Sequence, residues 1–383
     1  MPTKQVLIIG AGPYGLACAA QAKYLGIDYA VLGAPLEFWQ HSMPDGMFLR
    51  AGSTWHIDPA GIYTLNRFLD SKGLRPEQID PLPVGLFIEY VDWFVKKLGL
   101  DTIPSYVRRL ERCERGFDVF LDKGEMVTAR NVVATPGLSF FRHHPADLVS
   151  KLPPGRYTHT CTMVNFEPLE GLHCLIIGGG QSAFEWAALM TEAGVAEVHL
   201  SYRHDTPQFI PSDWAWVDPL MEMAAAVRGW FRHLPAAERE SIEKRFRIES
   251  RLKLEPWLAP RIRKPSINLW PHTSVESCKV SSNGKLSVRL SGGTTVAVDH
   301  IILATGYRVN VQQVSYLSST SILPRLKTHD GFPALDEDFQ TSVPGLFLTG
   351  LAATRDFGPF YGFVRGCPTA ARMIMERIRT GLK

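Results

Sequence analysis

Three observations in a chain of 383 residues predict an α/β fold made of two doubly wound units. The segment QVLIIGAGPYG, near the N-terminus, runs from a β-branched stretch through closely spaced glycines into a helix-forming stretch. LHCLIIGGGQSAFEWAALM, at residues 172–190, repeats that order in mid-chain. Each is followed by a related stretch, ERCERGFDVFLDKGEMVTARNVVATPG and KVSSNGKLSVRLSGGTTVAVDHIILATG, in which short strands and tight turns end in a buried run. What is doubled is therefore an architecture and not only a loop.

The first unit begins with residues 5–10, whose β-branched run suits a parallel strand buried on both faces. Residues 16–26 are helix formers that stop at a glycine. Between them stand Gly10, Ala11, Gly12, Pro13, Tyr14 and Gly15. Gly10 permits the tight turn, Gly12 lets backbone amides approach a pyrophosphate, and Gly15 lets the helix pack closely on the strand. The anion then rests on the helix N-terminus, where free amides and the helix dipole both favour it. This is a dinucleotide-binding loop with one part missing. The next strand, YAVLG, ends in Gly33 where an acidic residue would bind a ribose hydroxyl. Glu37 is the nearest acid; it either reaches the ribose from the following loop or is solvated.

The second unit repeats the logic with Gly178, Gly179, Gly180, Gln181, Ser182 and Ala183, alanine taking the third small position. Its next strand, AEVHLSYR, ends in Ser201 and Arg203. An arginine there accommodates a 2′-phosphate, so this half is expected to prefer NADPH to NADH. Two dinucleotide sites in one chain imply a hydride path from NADPH to a second dinucleotide, FAD.

Composition narrows the partners. The apolar and charged fractions are those of an ordinary globular protein, and the net charge of +3 favours a small anionic ligand at least as much as nucleic acid. No apolar run is long enough to cross a bilayer, and a first glycine at position 10 leaves no room for a secretory leader; a cytoplasmic protein is expected. Six scattered cysteines without a CxxC pair argue against a disulfide framework, a zinc site and a local redox dithiol. Cys367 stands out as the thiol at the start of the last helix, where the helix dipole would favour a thiolate.

Together with IILATGY (residues 301–307), the two loops make the chain resemble the class B flavoprotein monooxygenases, a group that includes flavin-containing monooxygenases, Baeyer-Villiger monooxygenases and the N-hydroxylases of lysine and ornithine. The resemblance runs through essentially the whole chain. It implies FAD on the first loop, NADPH on the second, and an NADPH domain (146–302) inserted into a split FAD domain (1–145 and 303–383), with a helical insertion at about 207–265. It also implies that NVVATPG, with Thr135, is the exit from the FAD domain and that Thr305 and Gly306 mark the return. Gly350, in LFLTGLAATRD, would be a third turn near the cofactor. IDPAGIYTLNRFLDSKG and FIEYVDWFVKKLG resemble the N-hydroxylase branch most; Phe87, Tyr90 and Trp93 share one helical face and read as core packing. The chain departs from the Baeyer-Villiger fingerprint: Gly155 and His159 keep its spacing, but Pro153 and Met163 replace its aromatics. Leu351 after Gly350, in place of aspartate, departs from the disulfide reductases.

The expected activity is the NADPH-driven transfer of one atom of molecular oxygen, activated at the flavin C4a position, to a small-molecule amine or sulfur nucleophile. The alternative is a flavoprotein reductase of a ferredoxin, a quinone or a low-molecular-weight disulfide, without oxygen insertion. Residues 37–58 are expected to wall the site, with Trp39, Met47 and Trp55 as apolar surfaces and Arg50 and Asp58 as catalytic candidates; a cation at Arg50 would stabilise developing negative charge. Residues 207–271 would form a lid or an oligomer contact, with Trp214, Trp216 and Trp230 as packing or pocket walls. Neither nucleic acid nor membrane is an expected partner.

Overall fold

The computed structural model describes residues 3–50, 52 and 54–382. β1 (Lys4–Ile9) ends at the first glycine loop, α1 (Pro13–Tyr24) leaves it, and β2 (Tyr29–Leu32) lies parallel to β1. The helix starts earlier than Leu16 because Pro13 fits the first turn, where its missing N–H has no partner to lose. After α2 (Glu37–His41) and α3 (Val84–Leu98), an antiparallel pair, β3 (Val107–Cys113) and β4 (Gly116–Leu121), leads into the long β5 (Met126–Ala134). One edge of β5 pairs parallel with β1, and the start of its other edge pairs antiparallel with β4. On α3, Phe87 and Tyr90 are buried, and the Tyr90 hydroxyl donates to the Tyr63 carbonyl at 3.0 Å, in keeping with a packing role.

The second sheet is wholly parallel, in the order β9 (Ile267–Trp270), β8 (Glu197–Ser201), β7 (His173–Ile177), β13 (His300–Leu303), β6 (Tyr157–His159). α4 (Gln181–Glu192) follows the second glycine loop. A meander of β10 (Val275–Val280), β11 (Leu286–Leu290) and β12 (Thr295–Val298) precedes β13, and the predicted Asn283-Gly284 turn joins its first two strands. In the first unit the strand leading out of the meander is continuous; in the second it breaks at Asp299, whose carboxylate accepts the His173 N–H at 2.9 Å. β14 (Leu346–Leu348) then pairs with the far end of β5, and α7 (Cys367–Gly381) closes the chain against α1.

The two units match bond for bond at their glycine turns. Gly10 N–H donates to Leu32 O at 2.8 Å and Thr135 N–H to Ile9 O at 2.9 Å; Gly178 N–H donates to Ser201 O at 3.0 Å and Ala304 N–H to Ile177 O at 2.9 Å. The insertion packs across the two units. Although it leaves and re-enters the second unit, α5 (Val217–Ala226) and α6 (Ala236–Arg247) set Val217, Met221, Ile242 and Phe246 against the first unit's core, and the chain rejoins the second core only at Leu254. Among the described residues no helix is long and apolar enough to cross a membrane.

A side chain at Gly15 would collide with the Gly10 carbonyl, a backbone group that cannot move without breaking the turn. Gly15→Ala is therefore expected to lose roughly 3 kcal/mol or more of stability, read as a lowered thermal midpoint and poor soluble yield; a wild-type melting curve would contradict this packing.

Candidate functional site

Both glycine loops open into one cavity of about 1610 Å³, well above the ~300–1,000 Å³ of an ordinary ligand pocket. The two loops treat their glycines alike. Gly10 has φ +103°, and a Cβ there would lie 2.5 Å from Thr135 Oγ1; Gly178 has φ +146° and its Cβ would strike the Ala304 carbonyl. Gly12 and Gly180, by contrast, are extended residues capping α1 and α4, and a Cβ on either meets nothing within 4 Å. Each loop thus has two glycines fitted to protein, Gly10 and Gly15 in the first and Gly178 and Gly179 in the second, and one facing open space at a helix N-terminus, the arrangement that cradles a phosphate.

Of the expected first-loop contacts, Gly10, Gly12, Pro13, Tyr14, Glu37, Trp39, Thr135 and Gly350 line this cavity, whereas Gly15 is enclosed in the helix–strand contact. The Tyr14 hydroxyl donates to the Tyr361 carbonyl at 2.6 Å, with the Phe363 carbonyl at 3.0 Å, and burial raises its pKa well above the usual value. Thr135 Oγ1 donates to the Ile9 carbonyl at 2.9 Å. Glu37 Oε1 accepts from the Tyr106 hydroxyl at 2.8 Å, and Trp39 packs on Phe87 with centroids 4.6 Å apart.

On the second side Gly178, Gly180, Gln181, Ser182, Ala183, Ser201, Arg203, Thr305 and Gly306 line the same cavity. Ser201 shares a 2.9 Å hydrogen bond with Thr273, while Arg203 is exposed and has no ion pair or hydrogen bond from its guanidinium to the described residues. The turn back to the first unit is held by His159, stacked on His144 at 5.5 Å, with Nε2 3.1 Å from the Gly306 carbonyl; burial lowers its pKa to about 4.

The two catalytic candidates have other employment. Arg50 directs Nε to Glu255 at 2.9 Å, Nη1 to the Ser250 carbonyl at 2.9 Å, and Nη2 to Ser212 and to the Glu249 carbonyl. It bolts the segment after α2 to the insertion while lining the cavity, and one Nη1 N–H is left without a partner among the described residues. Asp58 is fully buried away from the cavity lining, where its carboxylate accepts the N–H groups of Ala60, Ile62 and Tyr63 at 3.0, 2.8 and 2.6 Å and the Tyr24 hydroxyl at 3.1 Å. It organises a loop.

Glu185 is a cavity residue that the sequence pattern did not single out. It is fully buried on α4; Oε1 accepts the Phe48 N–H at 2.9 Å and Oε2 has no partner among the described residues. Burial raises its pKa to about 7. The signal was present in GGGQSAFEWAALM, where it is the one charged residue in an apolar helical run.

The family model for pyridine nucleotide-disulphide oxidoreductases matches residues 4–373. The chain belongs to this family. Among curated relatives, the FAD-dependent urate hydroxylase of Xanthomonas campestris pv. campestris is 26% identical over 132 residues, covering 33% of this chain and only 28% of that protein. The ferredoxin–NADP reductase of Lactococcus lactis subsp. lactis is 25% identical over 293 residues, 75% of this chain and 81% of that protein. Among solved structures, the ornithine N-hydroxylase KtzI of Kutzneria sp. 744, in its form with reduced FAD, NADP+ and L-ornithine, superposes with a TM-score of 0.83 over 100% of both chains at 16% identity. At that identity the likeness is one of fold.

In this pyridine nucleotide-disulphide oxidoreductase the cavity carries free thiols and no disulphide among the described residues. All six cysteines are free, and the two that line the cavity, Cys161 and Cys367, have pKa values raised by burial. The expected helix start at Cys367 holds, but burial pushes its thiol pKa well above the usual value.

Two measurements check these assignments. A folded Glu185 keeps its proton to about pH 7 while an unfolded one releases it near 4.5, so the native state binds more protons in that window and stability falls as pH rises through it. Glu185→Gln should flatten that fall, by on the order of a few kcal/mol between pH 5 and 8. Arg50→Met should lower stability by roughly 2–4 kcal/mol and expose residues 207–255 to limited proteolysis; unchanged protection would contradict the bolt.

Proposed function

We propose that this chain is an FAD- and NADPH-dependent monooxygenase that oxygenates a small-molecule amine or sulfur nucleophile. The observation that carries the reading is the single cavity into which both glycine loops open, each with one glycine free to meet a pyrophosphate. The first loop would hold FAD and the second NADPH. The domain division at about residues 145 and 303 and a cytoplasmic location belong to the same proposal.

When bound, FAD supplies the hydride acceptance and oxygen activation that side chains cannot. The chain's own residues position and seclude. The amides opening α1 and α4 bind the two pyrophosphates, and the free Arg203 guanidinium takes the 2′-phosphate with a geometry a lysine cannot reproduce. Tyr14, kept protonated by burial, ties the first loop to the carbonyls before α7 and so holds the cradle rigid. Trp39, Met47 and Trp55 line the cavity as apolar walls that exclude water from the reacting atoms.

Fold likeness to an ornithine N-hydroxylase supports an amine-oxygenating reading. Sequence similarity to ferredoxin–NADP reductases supports a second one, electron transfer without oxygen insertion. The protonated cavity thiols weigh against low-molecular-weight disulfides as acceptors.

Turnover with NADPH under ¹⁸O₂ separates the readings. Monooxygenation places one labelled oxygen in the organic product; hydrogen peroxide in amounts equal to the NADPH consumed, with unlabelled organic material, supports the reductase. In the same assay Arg203→Ala should raise KM for NADPH about tenfold or more and leave KM for NADH within about twofold. Equal effects on both would remove the 2′-phosphate assignment.

A further inference from the structure

The cavity continues past the two glycine loops into an outer chamber between the insertion and the segment before α7. Its walls are Trp55, Trp214, Phe246 and Phe363, and its rim carries Glu243, Arg247 and Arg251. Trp214 is central: its ring lies 5.8 Å from Trp55, 5.8 Å from Phe246 and 6.4 Å from Phe363. Phe363 is 40% exposed, an unusual degree for a residue in an aromatic cluster, and the Trp214 indole N–H has no partner among the described residues. Aromatic surface turned to a cavity gains by being covered with a ligand of like character.

The charges at the rim are unbalanced. Arg247 and Arg251 stand four residues apart across the end of α6 and the π turn Ile248–Leu252, a distortion that concentrates at functional sites. Both are exposed, and neither side chain has an ion pair or hydrogen bond to the described residues. Two other arginines of the insertion are paired, Arg245 with Asp213 at 2.9 Å and Arg261 with Glu192 at 2.8 Å. Glu243 opposes two positive charges with one negative charge. Within the chamber, the Arg50 guanidinium, paired with Glu255, lies 5.9 Å from the Trp214 ring centre, so one face of the indole already has a cation beside it.

We propose that this chamber selects an organic anion. Its carboxylate, sulfonate or phosphate is held by Arg247 and Arg251, and its apolar part, bearing a neutral sulfur or aryl nitrogen, lies against Trp214, Phe246 and Phe363. The choice of reacting atom rests on the monooxygenase reading; the choice of charge rests on the chamber alone.

Three aryl methyl thioethers that differ at the para position test it: para-methylthiobenzoate, thioanisole and para-methylthiobenzylamine, each measured by equilibrium dialysis against the FAD-loaded enzyme. The benzoate should bind about tenfold more tightly than thioanisole, and the benzylamine least. In the Arg247→Gln/Arg251→Gln variant the benzoate's advantage should shrink to within about twofold, and Arg251→Glu should favour the benzylamine. Equal or tighter binding of the benzylamine to the wild type, or an advantage that survives the double variant, overturns the proposal. Arginine-dependent binding of the benzoate without sulfoxide formation under NADPH and oxygen leaves the chamber assignment standing and removes the monooxygenase reading. Sulfoxidation of all three with no effect of charge or arginine does the reverse.

Discussion

The structure depends on backbone meeting backbone at two glycines. Gly10 touches the end of β5 at Thr135 and Gly178 touches the end of β13 at Ala304, in both cases where a Cβ would collide with the neighbouring strand end. Those strand ends are also the places where the chain leaves the first unit and returns to it. Fitting each crossing directly onto a glycine turn leaves the adjacent glycine, Gly12 or Gly180, facing the shared cavity. A larger residue at either contact would push the crossing outward, and the two helix N-termini would no longer open into one space.

The insertion completes that space. Its helices rise from the second unit and pack on the first unit's core, and Arg50 fastens them with hydrogen bonds to Ser212, Glu249, Ser250 and Glu255. This placement roofs the cavity with aromatic rings and carries charge to its mouth. The same cation that secures the roof also biases what enters beneath it, because it lies over Trp214. Structural and selective roles are thus joined in one side chain.

The fold was legible in the sequence because its signals are local. Strand, glycine turn and helix follow one another within about twenty residues, and each glycine's task follows from chain geometry. The site was legible only in part. Arg50, in an aromatic-rich segment, does line the cavity, but its structural tie to the insertion was hidden, because its carboxylate partner lies 205 residues away and leaves no trace in local pattern. Asp58 gave a misleading signal for the opposite reason: its partners are two to five residues on and Tyr24, so a loop-organising carboxylate has the composition of an active-site one. The amphipathic insertion announced that it would pack, and nothing in its periodicity said against which unit. Cys367 was placed correctly at a helix start, but burial, which sequence does not report, reversed its expected chemistry.

Direct hydride passage between two dinucleotides in one cavity is the claim on which the rest turns. Anaerobic rapid mixing of the FAD-loaded enzyme with NADPH, and with NADPH deuterated at the transferred position, tests it without oxygen or substrate. Mole-for-mole bleaching of the flavin, slowed by a primary isotope effect, is the expected result. Flavin that stays oxidised, or bleaching that deuteration does not slow, would contradict it.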